Sequence, residues 1–378
     1  MSLSTANGKI VIAGAGLAGL INSILLNRAG FAVTLIEKKI FPFHRVCGEY
    51  ISNEVVPFLK NQNIYPEEFK PSFITRLKVS SLSGNYFDAP LDLGGFGISR
   101  YAFDNFLYHK ALSEGVEVLQ GRKVTDVQFV DNAFTVSLEA GPALNADLVI
   151  SAHGKRSNID QKFNRNFFNK RSPYLGVKYH IKTDFPVDLI QLDIFKGGYC
   201  GIVKVEGDKY CLCYLSATEN LKTYGSIPEM EERLLYKNPF LRQIFSNSDF
   251  LFEKPEVINE ISFERKSLVE NHILFCGDSA GMIAPLCGNG MAMAIRSAKI
   301  LSDSIIKDPD FKNPQKRNLL EHRYLEQWNI EFAARLKTGR FIQNVFGSRH
   351  ISNVMTAALK KFGAAKFMIS LTHGKPFL

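Results

Sequence analysis

Two glycine-rich turns, one near each end of the chain, carry residues suited to gripping a dinucleotide. The first is Gly14-Ala15-Gly16-Leu17-Ala18-Gly19, entered from an apolar strand, Lys9 to Ala13; a second strand from Ala32 ends on Glu37, 18 residues past Gly19. Gly14 permits a sharp turn, Gly16 lets backbone approach a pyrophosphate, and Gly19 lets the next helix pack closely on its strand. The N-terminus of that helix attracts phosphate, and a carboxylate at Glu37 accepts hydrogen bonds from a ribose diol. The second is Ile273-Leu274-Phe275-Cys276 running into Gly277-Asp278, followed by Ala284-Pro285-Leu286-Cys287-Gly288-Asn289-Gly290. Asp278, on a small turn at a strand end, is placed to bind a ribityl hydroxyl. The loop after it opens a helix from Met291 to about Ile306, whose exposed amides and positive dipole end would stabilise negative charge on a reduced isoalloxazine. A nicotinamide dinucleotide would satisfy the first turn as well as a flavin would; a second anchor so far along the chain favours the flavin.

Three further segments extend the pattern: Arg45-Val46-Cys47-Gly48-Glu49-Tyr50; Ser99-Arg100 ahead of Phe103-Asp104 and Leu107; and Ala146 to Gly154 with Ser157. With the two turns, they resemble the FAD-dependent oxidoreductases that unite aromatic-ring monooxygenases of the para-hydroxybenzoate hydroxylase type with geranylgeranyl reductases. The resemblance spans roughly residues 8 to 305. Arg45 to Tyr50 is similar to the reductases' CGE loop along the flavin, and Arg100 opens an R-x-x-F-D-x-x-L helix start. It implies FAD contacts at Ala18, Glu37, Arg45, Cys47, Gly48, Arg100, Val124, Gly277, Asp278, Pro285, Gly288, Gly290 and Met291, beside Gly14, Gly16 and Gly19. Arg100 at a helix start suits a pyrophosphate, and Val124 would offer the adenine only backbone atoms. His153 stands where the family usually has an acid before glycine, which puts reduction by NADPH at the usual place in question; it reads as a hydrogen-bonded loop histidine. No second dinucleotide turn exists, so NAD(P)H is expected as a transient electron donor, the alternative being delivery by a ferredoxin-like protein.

Two chemistries suit this scaffold. In the first, reduced FAD meets oxygen and, through a flavin hydroperoxide, hydroxylates an electron-rich aromatic or polyketide-like molecule while the protein excludes water and orients a phenol. Tyr179, His180 and Tyr199 on the roofing sheet are candidates for that work. In the second, as in geranylgeranyl reductases, hydride passes from the flavin to a C=C bond, with a proton from water or a thiol such as Cys47. The W-x-W-x-I-P signature of flavin halogenases is absent and Trp328, the only tryptophan, lies in the tail, so halogenation is not expected. A non-catalytic prenyl-binding protein of similar architecture is the reading from another class.

Elements must bring these residues together. The fold expected is α/β: a Rossmann-type FAD-binding lobe of parallel sheet and helices, an antiparallel β substrate lobe, and a C-terminal helical appendix. The FAD lobe is discontinuous (1–72, 98–170, 268–305), and the substrate lobe takes 73–97 and 171–267. Within the FAD lobe, Val124 to Phe129 and Phe134 to Leu138 read as a hairpin across Asp131-Asn132. The substrate lobe's strands are expected at Thr75–Leu82, Tyr86–Leu91, Tyr174–Lys182, Leu189–Phe195, Tyr199–Val205 and Lys209–Ser216.

The appendix, 306–378, holds the charge asymmetry. From residue 311 on there are 12 Lys and Arg against 3 Glu, so the net +9 sits there and the other 310 residues, with 34 of each sign, balance. Leu319, Tyr324, Ile330, Phe332, Leu336, Phe341 and Val345 predict one apolar face of a long helix, with Arg and Lys opposite; Phe362, Phe367 and Met368 follow. The helix either caps the flavin lobe or docks something anionic, such as an acidic carrier protein or a membrane leaflet. Nucleic acid is not expected, since no binding motif accompanies the charge. No run of 18 apolar residues exists and the first strand leaves no room for a signal peptide, so the expected location is the cytoplasm, with peripheral membrane contact as an option. Six cysteines without paired C-x-x-C spacing predict no metal site. Cys47 and Cys287 fall in loops that should approach the flavin.

Overall fold

The computed structural model describes residues 7–169, 173–259, 261–346 and 373–378. Its strands are β1 (Lys9–Ala13), β2 (Ala32–Glu37), β3 (Tyr50–Ser52), β4 (Ser72–Ser80), β5 (Tyr86–Gly97), β6 (Glu117–Gln120), β7 (Val124–Val130), β8 (Ala133–Leu138), β9 (Leu144–Ala146) and β10 (Leu148–Ser151). Then come β11 (Tyr174–Lys182), β12 (Leu189–Phe195), β13 (Gly198–Lys204), β14 (Tyr210–Ala217), β15 (Asp249–Phe250), β16 (Glu256–Asn259), β17 (Val269–Glu270) and β18 (Ile273–Phe275). The helices are α1 (Leu17–Arg28), α2 (Val56–Asn61), α3 (Arg100–Ser113), α4 (Asn158–Lys162), α5 (Thr218–Tyr224), α6 (Ile227–Leu234), α7 (Pro239–Ser246), α8 (Gly290–Lys307) and α9 (Pro314–Phe346).

The first sheet runs β17-β18-β10-β1-β2-β6, parallel except at the β17–β18 edge. Continuous apolar runs such as Ile10 to Ala13 form its centre because helices cover both faces of such a strand; all four residues are buried. The second sheet, order β15-β11-β14-β13-β12-β4-β5-β3 with β16 beside β11, is antiparallel apart from the β12–β4 junction. Its members include β3, which immediately follows the Cys47-Gly48-Glu49 loop and pairs with the end of β5. The ring-side loop therefore runs straight into the roof, whereas the boundary at residue 72 gave this strand to the FAD lobe. The expected hairpin is β7–β8, and it joins β9 in a separate small sheet. Asp131 and Asn132 both take positive φ, 49° and 64°, as a two-residue hairpin turn requires.

Alternation along β11 separates two jobs. Leu175, Val177, Tyr179 and Ile181 pack with residues of α6 and α7, while Lys178 and His180 point at the FAD lobe through Glu49. Tyr179, expected at the pocket, instead bonds Glu231 at 3.0 Å on the far face of the roof.

The apolar face of α9 also differs from expectation. Leu319, Ile330 and Phe341 are exposed, and the buried stripe is Arg317, Leu320, Tyr324, Trp328, Phe332, Arg335 and Leu336. Packing against α8 and the Gly277 turn selects this stripe: the Tyr324 hydroxyl donates to the Phe275 carbonyl at 2.6 Å, and Trp328 abuts Gly281. Two arginines thus lie inside, not opposite. The side chain of Val345 and all of Phe362, Phe367 and Met368 lie outside the described residues. Among the described residues no helix is long and apolar enough to cross a membrane.

Candidate cofactor site

The carboxyl ends of β1, β2, β10 and β18 open on one crevice, where a doubly wound sheet binds its ligand. Gly14 turns there with φ of +104°. Gly277 has φ of +69°, and a Cβ on it would stand 2.9 Å from the Cβ of Ala18. The two glycine turns, remote in sequence, are therefore in contact.

Glu37 ends β2 nearly buried, its carboxylate accepting from the amides of Ala15 and Lys39 and from Arg45 Nη2, each at 3.1 Å. Arg45 also donates through Nε to Asp104 at 3.0 Å. Arg100, on the first turn of α3, clasps the same Asp104 with two bonds of 2.6 and 2.7 Å, and its Nη2 lies 3.5 Å from where a Cβ on Gly16 would be. Both arginines are thereby aimed at the phosphate-binding turn by one aspartate. Asp104 had entered the sequence reading only as a motif letter; its i, i+4 spacing from Arg100 was the available signal. The Asp278 carboxyl is raised by burial, against the opposing pull of Lys266, Arg100 and Arg45. The close approach of Gly277 to Ala18 sets the Asp278 turn against the phosphate-binding turn.

On the ring side, α8 starts at Gly290 with Met291 buried in its first turn, and its N-terminus offers free amides. Pro285 and Cys287 bound a short turn before it, and Gly288 (φ +65°) backs onto the Tyr50 ring. Gly48 has no neighbour within 4 Å of a would-be Cβ, so the loop faces open space. These groups fit a flavin dinucleotide: glycine surfaces for close approach, cations at the phosphate turn, and a helix start at the ring. Val124 fits less simply, because its carbonyl already accepts from Asn158 Nδ2 at 3.2 Å.

Behind the loop lies a buried ionic cluster. Glu49 accepts from Lys178 Nζ, from the Arg100 amide at 2.8 Å and from His180 Nε2 at 2.6 Å. Burial alone would raise the Glu49 carboxyl, but Lys178 and His180 outweigh it and hold it at about 2. Lys178 also donates to the Arg45 carbonyl at 3.2 Å, and Cys211 Sγ to that of Cys47 at 3.2 Å. His180, a catalytic candidate from sequence, is thus committed to clamping Glu49. His44, whose ring lies 5.3 Å from that of His180, is pushed down to about 4 by burial, Lys178 and His180. Glu49, His180 and Cys211 could together offer three metal-ligand atoms. The ammonium of Lys178 occupies that carboxylate, and burial keeps the Cys211 thiol protonated.

Of the other candidates, Tyr199 and Cys47 belong to one apolar cluster, Tyr199 within it and Cys47 packed against it. Tyr199 is buried on the side of β13 that packs into the core of the FAD lobe, and burial raises its hydroxyl well above the ordinary value. Burial likewise raises the Cys47 thiol and pushes Cys287 up to about 12. This corner holds neutral proton donors.

His153 bridges Ser151 Oγ (2.7 Å) and Asp160 Oδ2 (2.8 Å), and Asp160 pairs with Arg165 at 2.7 Å. It is a hydrogen-bonded loop histidine, lowered by burial against the pull of Asp160. Arg165 and Lys266 reach the carbonyls of Ser279 (3.1 Å) and Asp278 (2.7 Å). Neither lies in a motif, and sequence reasoning missed both.

No family model matches the chain. It is 21% identical over 345 residues to conditioned medium factor receptor 1 of Dictyostelium discoideum, covering 84% of this chain and 67% of that protein. It is 24% identical over 320 residues to a digeranylgeranylglycerophospholipid reductase of Methanococcus vannielii (79% and 76% covered). A pyrrole-2-carbonyl peptidyl-carrier-protein brominase of Pseudoalteromonas luteoviolacea is 24% identical over 314 residues (78% and 76% covered). Among solved structures, the flavin-dependent halogenase CmlS superposes with a TM-score of 0.79 at 19% identity, covering 99% of this chain and 74% of that one. A flavoprotein/dehydrogenase from Cytophaga hutchinsonii gives 0.77 at 17%, with 96% and 92% covered. The brominase and halogenase likenesses remove the force of the expectation against halogenation, which rested on one absent motif. In fold and in its two glycine turns, the chain matches the FAD-dependent oxidoreductase superfamily of ring monooxygenases, geranylgeranyl reductases and flavin halogenases.

Proposed function

We propose that the protein is an FAD-dependent monooxygenase that hydroxylates an electron-rich aromatic or polyketide-like small molecule, with NAD(P)H as a transient electron donor. The observation that carries the flavin reading is the contact of Gly277 with Ala18, which sets the Asp278 turn against the first glycine turn. FAD, when bound, supplies the redox chemistry. The chain's residues grip the ribose with Glu37, hold the phosphates near Arg45 and Arg100, and present Asp278 to the ribityl chain. Tyr199, neutral and buried, supports the hydroxylation reading, because a phenol donor in the pocket would orient a phenolic substrate without adding charge.

A second reading, reduction of a C=C bond, is favoured by the Cys47-Gly48-Glu49 loop, whose thiol stays protonated as a donor would, and by the archaeal reductase relative. The brominase relative acts on a carrier-bound substrate; with the excess of cations after residue 311, it supports an acidic carrier as a partner.

The test is reconstitution with FAD, anaerobic reduction by NADH, NADPH or dithionite, and then admission of oxygen. Trp328 lines a small cavity with Gly277 and Asp278, so its emission should be quenched as FAD binds. Oxygen uptake that needs a phenolic substrate supports hydroxylation. Anaerobic saturation of an alkene supports the reductase, and a halide-dependent product supports halogenation. Folded protein with no flavin absorbance after soaking in excess FAD refutes all three.

A further inference from the structure

Lys266 is a cation held by neutral groups of the loops that border the crevice. Arg45 is paired with Glu37 and Asp104, and Arg100 with Asp104. Lys266, in the loop between β16 and β17, gives its ammonium to two main-chain oxygens, those of Lys155 and Asp278, both at 2.7 Å. It also rests over the Phe167 ring, 4.3 Å from the centroid. Among the described residues, no carboxylate forms an ion pair with it. Those two oxygens belong to the loops that follow β10 and β18, adjacent parallel strands whose carboxyl ends border the crevice. A charge fixed by neutral dipoles remains available to an incoming anion, whereas one already paired is largely spent.

We infer that Lys266 supplies positive charge to the pyrophosphate of the bound dinucleotide while its two hydrogen bonds fix the turn that presents Asp278. The inference rests on the flavin reading above. Its electrostatic setting is mixed: burial lowers Lys266 to about 8, Asp278 and Asp160 favour its protonated form, and Arg165 and Lys155 oppose it. An anion binds only the protonated form, so affinity should fall as pH rises through that value.

The test is equilibrium titration of FAD and of riboflavin, which lacks phosphate, into the apoprotein, followed by flavin fluorescence. Wild type, Lys266→Met and Lys266→Arg are compared from about pH 6.5 to about pH 9.5, a range over which arginine stays charged. In Lys266→Met, FAD should bind about tenfold more weakly at neutral pH while riboflavin changes by less than about twofold. Lys266→Arg should keep its neutral-pH affinity for FAD and hold it at high pH, where wild type weakens. Equal weakening of FAD and riboflavin in Lys266→Met would make Lys266 a structural staple and overturn the charge role. A pH dependence that survives in Lys266→Arg would overturn it as well. Wild type that binds neither flavin would overturn the flavin reading together with this inference, an outcome distinct from the other two.

Discussion

Replacing Glu49 by Gln tests the clamp behind the ring-side loop. The amide keeps the shape and still accepts hydrogen bonds, but leaves the buried Lys178 ammonium without a counter-charge. A carboxyl held at about 2 instead of the ordinary 4.5 corresponds to about 3 kcal/mol of stability at neutral pH. Breaking a buried pair by removing one partner costs about 3–5 kcal/mol by experience, so the two routes agree. Because the folded value is depressed, this contribution is complete above the unfolded value of 4.5 and is lost as pH falls from there towards 2. Glu49→Gln should therefore lower the thermal midpoint by roughly 5 °C at neutral pH, and its deficit against wild type should shrink progressively below pH 4.5. The double variant Glu49→Gln with Lys178→Met, which removes both charges, should recover most of the loss. Thermal and urea unfolding across this pH range measure all three proteins. A Glu49→Gln deficit under about 1 kcal/mol at neutral pH, or one that does not change with acid, would refute the argument that the pair fixes the loop.

Asp278→Asn should raise the stability of the apoprotein, because burial penalises its charge, while weakening FAD binding by about tenfold or more; melting curves with and without FAD separate the two. If Cys47 or Cys287 touches the ring or the substrate, Cys47→Ala or Cys287→Ala should shift the bound-flavin spectrum or the turnover rate, and unchanged spectra and activity in both would dispose of that contact. Single-tryptophan emission should drop on FAD titration in wild type, and a constant signal with FAD demonstrably bound would contradict the placing of Trp328 beside the Asp278 turn.

Local signals carried much of this fold into view. Lys9–Ala13, Ala32–Glu37, Tyr174–Lys182 and Leu189–Phe195 were legible to the residue, because each is an apolar or alternating run between clear turn signals. Contacts across long separations were not. Glu49 and Lys178 are 129 positions apart, and nothing in either neighbourhood announces the partner; the same holds for Lys266 and the carbonyls it binds. On the tail helix, Leu319, Ile330 and Phe341 recur every 11 residues, close to three full turns, and so form an apolar stripe of their own. Sequence offered two stripes, and only the groove along α8, which accepts Tyr324 and Trp328, chooses between them. Tyr179 was misplaced for the period-two reason: one residue along β11 exchanges the faces of the roof.

The loop from Arg45 to Glu49 is pinned to the roof through Lys178 and Cys211 and continues directly into β3. An isoalloxazine held against Gly48, as proposed, would border a loop that lifts only by unseating a buried charged pair, Lys178 with Glu49. Release of such a group would then be coupled to partial opening of the roof. Such a cofactor should leave slowly and travel with the chain through dilution and chromatography, in the manner of a resident group and unlike a freely exchanging co-substrate.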